Sequence, residues 1–487
     1  MKTILKTRTY ESLVGSLVGD KGARLLKQLF LRSLTDISFK KIMNSSTQPT
    51  PHTVRISYGE QGYIFPLDIP GVSSEVFLPA NPPALEAQEE VFKRAVRNPI
   101  GSLPLADIVT AALERPEKEG RSPKVVIAVA DHTRPVPDHL LIPWITAELG
   151  VPDACVTILI GTGTHRGSTP EELKKMLGGA ADRFNIVNHD CQDAHSLVFM
   201  GRSSCGGECW MNKHWVEADL RLTTGFIEPH FYAGFSGGSK ALIPGIAGLD
   251  TVRHFHRASL IEHPKATWAR IFDNPLQQLT REMAALAPPH FIVNVTLNHA
   301  KEITGIFAGD LTAAHNAGCE AALEEATVPV PRRYQIVVTT NSGFPLDQNF
   351  YQTVKGISAA SRIVEPGGLI LVFSRCNKGL PLEGEFAEIL SEPISHSELH
   401  AKILATKVTR HDQWQVQTLM QCLEKARIVL YSELSAEDRL RNRTEHTDDP
   451  IGVIREFVAT RAGSPVAMAI LPEGPLSIAC PPGDSPH

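Results

Sequence analysis

His230, Ser236 and Lys240 lie close together in the segment GFIEPHFYAGFSGGSKALIPGIAG, residues 225–248. An imidazole, a hydroxyl and an amine so spaced can move protons, attack a carbon or hold an anion. Six of the 24 residues are glycine, and each would cost about 1 kcal/mol against Ala inside a helix. Such backbone turns tightly or approaches a ligand closely. The segment reads as an active-site loop. Gly234-Phe235-Ser236-Gly237-Gly238 also fits G-x-S-x-G, which would make Ser236 a hydrolase nucleophile. That reading needs a helix directly after the serine, and Gly237, Gly238 and Pro244 oppose one. A phosphate-binding loop fits less well, because Ser239 stands where the glycine before the lysine should be.

Three further segments carry polar groups where a ligand could meet them. The apolar run Val125–Ala130 reads as a buried strand, and Asp131-His132-Thr133-Arg134 follows at its carboxyl end, where open α/β sheets hold ligands. The run Val156–Ile160 leads into Gly161-Thr162-Gly163 and then His165. In Gly343–Gly356, Tyr351, Gln352 and Lys355 are expected on one helical face. The bland alternatives are an N-capping aspartate, a structural histidine and a solvated helix end.

Together these segments closely resemble the nickel-dependent lactate racemase family. The resemblance is carried by Asn98-Pro99-Ile100-Gly101-Ser102, DHTRPVP at 131–137, Gly163-Thr164-His165-Arg166, the glycine segment, FAGD at 307–310, PLDQNFYQTVKG at 345–356, and Asp412-Gln413-Trp414. These run in family order from about residue 52 nearly to the C-terminus. The resemblance implies a nickel-pincer nucleotide, a pyridinium mononucleotide whose thioamide and thiocarboxylate arms hold nickel, tethered through Lys240. It implies His256 as the protein's nickel ligand, sixteen residues after the tether, with neighbouring His254 the competing candidate. His165 and His230 match the acid/base pair. Asp131, Thr133, Arg134, Gly237, Gly238, Tyr351, Gln352 and Lys355 match cofactor-binding positions, and Arg134, Gln352, Lys355 and Trp414 substrate positions. Cofactor-making enzymes are the implied partners.

These residue types suit that chemistry. The C2–H of a 2-hydroxy acid is too weakly acidic for a side-chain base, whereas removal as hydride is feasible with an electron-poor ring to receive it. The hydroxyl proton must leave with it, which suits imidazole at neutral pH. A racemase serves both hands of its substrate, so it needs two such groups. Arginine offers a carboxylate a planar fork, and imidazole is a fitting nickel ligand. The expected activity is racemisation of 2-hydroxy acids, lactate first. The segment Arg375–Phe386, RCNKGLPLEGEF, departs from the family's His- and Gly-rich run and leaves a larger 2-hydroxy acid open. A serine hydrolase on Ser236 and a non-catalytic nickel-nucleotide carrier are the readings from other classes.

The elements that must position these groups alternate. Strand-like runs fall at Val125–Ala130, Val156–Ile160, Leu220–Thr224, Phe291–Val295, Ile336–Thr340, Leu369–Phe373, Ile428–Tyr431 and Val466–Leu471, with helix-like stretches between them including Ala87–Arg97, Glu171–Met176, Ala313–Glu325, Ser397–Leu404 and Pro450–Arg461. This predicts two mixed α/β domains with largely parallel sheets and the active site in the cleft between them. The Pro-rich break Thr327–Arg333 divides residues 52–328, the cofactor-binding domain, from 329–487, whose last ~25 residues are able to pack back on the first domain. Residues 1–51 read as a basic extension and linker: nine Lys or Arg against three Asp or Glu in the first 50, with helix-like spacing at Leu25–Leu34. The full chain of 487 residues has a net charge of −5 and 21% charged residues, which gives no nucleic-acid signature. It also has no apolar run of the ~18 residues a membrane span needs. Eight scattered cysteines suggest free thiols in a reducing cytoplasm, with Cys205-xxx-Cys209 only a weak zinc signal.

Overall fold

A computed structural model describes residues 52–381, 383–461 and 465–483. The expected basic extension and linker lie outside the described residues. From Val54 onward the chain forms one compact unit built around two six-stranded sheets.

The first sheet has the strand order 303–309, 291–297, 220–226, 125–130, 156–161, 185–188. All its pairings are parallel except that between the first two. Strands covered on both faces read as unbroken apolar runs, and the VVIAV of Val125–Val129 is fully buried. The chain winds outward from Val125–Ala130 in one direction and from Leu220–Phe226 in the other. The switch point therefore lies between those two strands, with a crevice at their carboxyl ends. The second sheet is wholly parallel, in the order 445–446, 427–431, 364–373, 334–340, 466–471, 72–76. Fold class and largely parallel sheets are as expected.

One placement differs from the sequence reading. That reading puts residues 52–77 with the first layer, yet Val72–Val76 pairs with Val466–Leu471, and Ile56, Phe65 and Ile69 pack in the core of the second sheet. These strands are short with mixed polarity, so their partner is not readable locally. At the Pro-rich break Thr327–Pro329 pairs with Ile478–Cys480. Ile478 packs among Ile227, Phe235 and Ala322, so the chain end lies against the first layer.

A polar clamp joins helix Ala258–Ile261 to the helices of the second layer. His400 contacts Glu424 through Nδ1 at 2.9 Å and Glu262 through Nε2 at 3.1 Å, while Gln417 and Gln421 also donate to Glu262. Burial would lower the His400 pKa, but the two carboxylates outweigh it and raise it. A raised imidazole stabilises fully below its unfolded value near 6.5 and loses that contribution as pH climbs through the folded value. We expect His400→Gln to cost about 1 kcal/mol at pH 6, since both carboxylates are partly exposed. The difference should fade by pH 9 in denaturant titrations. An equal loss at both pH values would show that packing, not charge, holds the clamp.

Candidate active site

The crevice at the switch point opens into a cavity of about 190 Å³. Its walls include Asp131, Arg134, His165, His230, Tyr232, Gly237, Lys240 and His256 from the first layer, and Tyr351, Lys355 and Trp414 from the second. The cleft between layers therefore gathers most of the chemistry read from the sequence.

The glycine segment reaches this position through close backbone contacts. Gly238 has φ +55°, and a Cβ there would lie 2.5 Å from the His315 ring; at Gly234, φ +78°, it would lie 1.8 Å from the Arg270 carbonyl oxygen. No larger residue fits either position without displacing a neighbour. The His315 ring contacts the Ser236 carbonyl through Nε2 at 2.8 Å, and Gly238 N–H donates to Asn294. Gly238–Ala241 forms only a single tight turn, so no helix follows Ser236. The Ser236 hydroxyl donates to the Phe226 carbonyl and accepts from Glu228 N–H, both at 2.9 Å. It is a structural strut, and among the described residues no histidine hydrogen-bonds its hydroxyl, which removes the basis for a serine nucleophile.

The two imidazoles are held differently. His165 Nδ1 lies 2.6 Å from Asp131 Oδ2, and the other Asp131 oxygen accepts from the Thr133 hydroxyl at 2.6 Å. Burial would raise the Asp131 carboxyl, but the His165 bond and charge, with Arg134 and Thr133, hold it well below the usual range. An ionised Asp131 makes Nδ1 the protonated nitrogen and leaves the Nε2 lone pair free. His230 Nδ1 instead accepts Ala233 N–H at 3.3 Å, which puts its proton on Nε2. These tautomers are assigned from hydrogen bonds. Burial, then Lys240, Lys355 and Arg134, pushes the His230 pKa well down, so in the free cavity this ring is neutral.

Lys240 makes no salt bridge among the described residues and faces the rings of Phe255 and Tyr232. Burial, reinforced by Arg134 and Lys355, lowers its pKa to about 7, and Lys355 is likewise brought to about 8. His256 is buried and stacks on Trp414 with ring centroids 4.1 Å apart. Its Nδ1 contacts the Val252 carbonyl at 3.0 Å and its Nε2 the Tyr232 hydroxyl at 3.0 Å. His254 does not line the cavity; its Nε2 meets Arg257 at 2.6 Å and Cys205 at 3.3 Å.

Other expected residues lie off the wall. Thr133 stands behind it, bonding both Asp131 and Arg134. Gly238 is buried against the His315 ring. Gln352 does not reach the cavity, because adjacent helical residues point about 100° apart. Tyr351 and Lys355, a full turn apart, do share the face. Tyr232, Asp412 and Asp138 have no role in the sequence reading. Tyr232, an aromatic inside the glycine segment, could have been flagged beside His230. Tyr351 binds Trp414 Nε1 at 3.0 Å through its hydroxyl, and Asp412 packs against that same hydroxyl. Asp138 is buried behind the wall, accepts from Thr224 at 2.7 Å, and is pushed by burial up to about 7; no local signal distinguishes it from a capping aspartate. Arg375–Phe386 does border this region, since Gly384 packs on the Asp412 carboxylate and Glu385 binds Arg410.

Comparison with known proteins gives a consistent result. Residues 58–269 match the lactate racemase N-terminal domain and 331–474 the lactate racemase C-terminal domain. A lactate racemase of Lactiplantibacillus plantarum is 35% identical over 392 residues, covering 80% of this chain and 90% of that protein. One from Thermoanaerobacterium thermosaccharolyticum is 33% identical over 393 residues, covering 80% and 89%. The lactate racemase apoprotein structure from the latter organism superposes with a TM-score of 0.79 at 31% identity, over 88% of this chain and all of that one. A Thermotoga maritima protein shares the fold at 18% identity and a TM-score of 0.60, over 78% of this chain and 99% of that one.

Proposed function

The chain belongs to the lactate racemase family, and from that membership we propose that it interconverts the D and L forms of a small 2-hydroxy acid, lactate first, on a nickel-pincer nucleotide tethered to Lys240. The observation that carries this reading is that two imidazoles from separate elements, His165 and His230, open into the same cavity as Lys240 and His256.

The residues fit such a group. Lys240 offers an amine with no carboxylate to hold its proton. His256 has one ring nitrogen fixed on a backbone carbonyl, as metal-binding imidazoles usually do, and its other nitrogen, which meets the Tyr232 hydroxyl, would have to exchange that contact for the metal. When bound, the nucleotide supplies an electron-poor ring able to accept the C2 hydrogen as hydride. The protein's own groups do the rest. Arg134 and Lys355 hold the substrate carboxylate, Arg134 being oriented by Thr133. His165 Nε2 takes the hydroxyl proton, and Asp131 stabilises the imidazolium that results. The substrate's negative charge offsets the cations that lower the His230 pKa, so binding helps that ring carry the second proton. Tyr351 and Trp414 close the cavity on the substrate side.

The test is polarimetry of D- and L-lactate with cofactor-loaded protein, alongside larger 2-hydroxy acids. Racemisation in both directions is expected; faster turnover of a larger acid would shift the substrate and keep the reaction class. No turnover of any 2-hydroxy acid by loaded protein would leave a carrier role. We also propose a cytoplasmic setting supplied by cofactor-making enzymes; among the described residues no helix is long and apolar enough to cross a membrane.

For the metal, we expect His256→Ala to weaken nickel binding by more than the roughly 10–100-fold that losing a ligand's outer partner costs. His254→Ala should leave it unchanged, since Arg257 and Cys205 engage that ring elsewhere. Nickel affinity measured by competition with a chelator separates the two. Loss in His254→Ala alone would move the ligand.

A further inference from the structure

We propose that the cofactor-free chain captures small 2-oxo acids as an imine on the Lys240 amine, with Arg134 and Lys355 holding the carboxylate. This needs only the amine, the two cations and a nearby imidazole, and does not rest on the racemase reading.

The cavity's volume of about 190 Å³ is far above the ~10–15 Å³ that admits one water, so a three-carbon acid has room. Among the described residues no hydrogen bond or ion pair engages Lys240 Nζ, which lies 5.2 and 5.9 Å from the centroids of the Phe255 and Tyr232 rings. Buried walls and neighbouring cations are what convert a lysine into a carbonyl nucleophile. Arg134 and Lys355 line the same cavity as Lys240, so a carboxylate bound to them puts its adjacent carbonyl in the space that the amine shares. Lys355 is the poorer nucleophile, because the charge of Glu228 favours its protonated form.

The step is redox-neutral. The amine lone pair adds to the carbonyl carbon, and the carbonyl electron pair moves to oxygen. The amine gives up its two protons in turn to His165 Nε2, which relays them to that oxygen; the second protonation lets the carbon–oxygen bond break, and C=N forms with release of one water. On the tether reading of Lys240 this imine occupies the cofactor's attachment point, so a 2-oxo acid would slow loading. That consequence alone depends on the proposed function.

The experiment uses full-length protein expressed without cofactor-making enzymes, incubated with pyruvate and a borohydride at neutral pH. Intact mass and peptide mapping follow. One reduced pyruvate adduct per chain is expected on the peptide holding Lys240. It should be absent from Lys240→Arg, and Arg134→Gln should need at least about tenfold more pyruvate for equal labelling. Acetone, which lacks the carboxylate, should leave the site unlabelled. Mapping of the unsubstituted protein locates the adduct by itself, so the outcome does not depend on how any variant folds. Label mapped to Lys355 or spread over surface lysines, label persisting in Lys240→Arg, or equal labelling by acetone would each overturn the proposal.

Discussion

Lys240→Ala protein, expressed together with the cofactor-making enzymes, will carry no covalent cofactor mass and will racemise nothing above background, whereas the unsubstituted protein will carry both the adduct and activity. The amine opens into the cavity without a hydrogen-bond partner among the described residues, whereas Ser236, which also lines the cavity, has its hydroxyl engaged by Phe226 and Glu228. A folding defect will not mimic the result. Truncating a buried, unpaired amine removes a desolvation cost rather than a favourable contact. Linkage provides the check. The folded amine titrates near 7 against 10.5 for the free group, so between those values the unfolded chain binds the extra proton. Cofactor-free protein should therefore gain stability from this group as pH rises from 7 to 10, and Lys240→Ala should lack that rise. Intact mass spectrometry settles the tether. Protein that is unmodified yet fully active would sink it. Protein made without the cofactor enzymes should be inactive, so activity screens need that expression background.

What could be read from the sequence follows from where each residue's information lies. Val125–Ala130 and Val466–Leu471 are legible to the residue, because strands covered on both faces must be apolar throughout. Asn185–Asn188 and Ile303–Gly309 are not, as sheet-edge strands with polar or glycine positions that break any period. Helix Asp138–Leu149 escapes for the opposite reason: it is apolar around most of its surface and carries Pro143 in its interior. Val72–Val76 pairs with a strand nearly four hundred residues later, which no local pattern encodes.

For the site, glycine density and the carboxyl ends of buried strands locate the cavity, because backbone constraints leave a local signature. Side-chain direction does not always do so. Gln352 groups with Tyr351 and Lys355 by proximity in sequence, and helical rotation turns it off the wall. In the sequence only the spacing from Lys240 separates His256 from His254, whereas in the structure one imidazole lines the cavity and the other lies on Arg257. The same limit applies to the tautomers. Which nitrogen of His165 carries the proton depends on Asp131, 34 positions away in the chain.

Racemisation of lactate in heavy water should yield product that keeps its original hydrogen at C2. On the proposed reaction His165 and His230 handle only the hydroxyl proton, which exchanges freely with solvent, while the C2 hydrogen leaves as hydride and returns without meeting water. A carbanion route would instead place that hydrogen on an imidazole. The half-exposed His165 would then release it to solvent, and deuterium would wash into C2 in the first turnovers. The cavity's charges give the two routes different demands. Arg134 and Lys355 beside a neutral His230 favour an anionic substrate, but no side-chain base here approaches the strength needed to remove an unactivated C2 proton. Replacing either histidine with Gln should slow both directions by about 10²–10⁴-fold, because one enantiomer's base is the other's acid. Asp131→Asn should act in the same sense through His165, since an amide in place of the carboxylate would leave that ring in the wrong tautomer. Neither change should alter C2 retention in the turnovers that remain. Substantial deuterium at C2 would end the hydride reading, and the nickel-pincer assignment would fall with it.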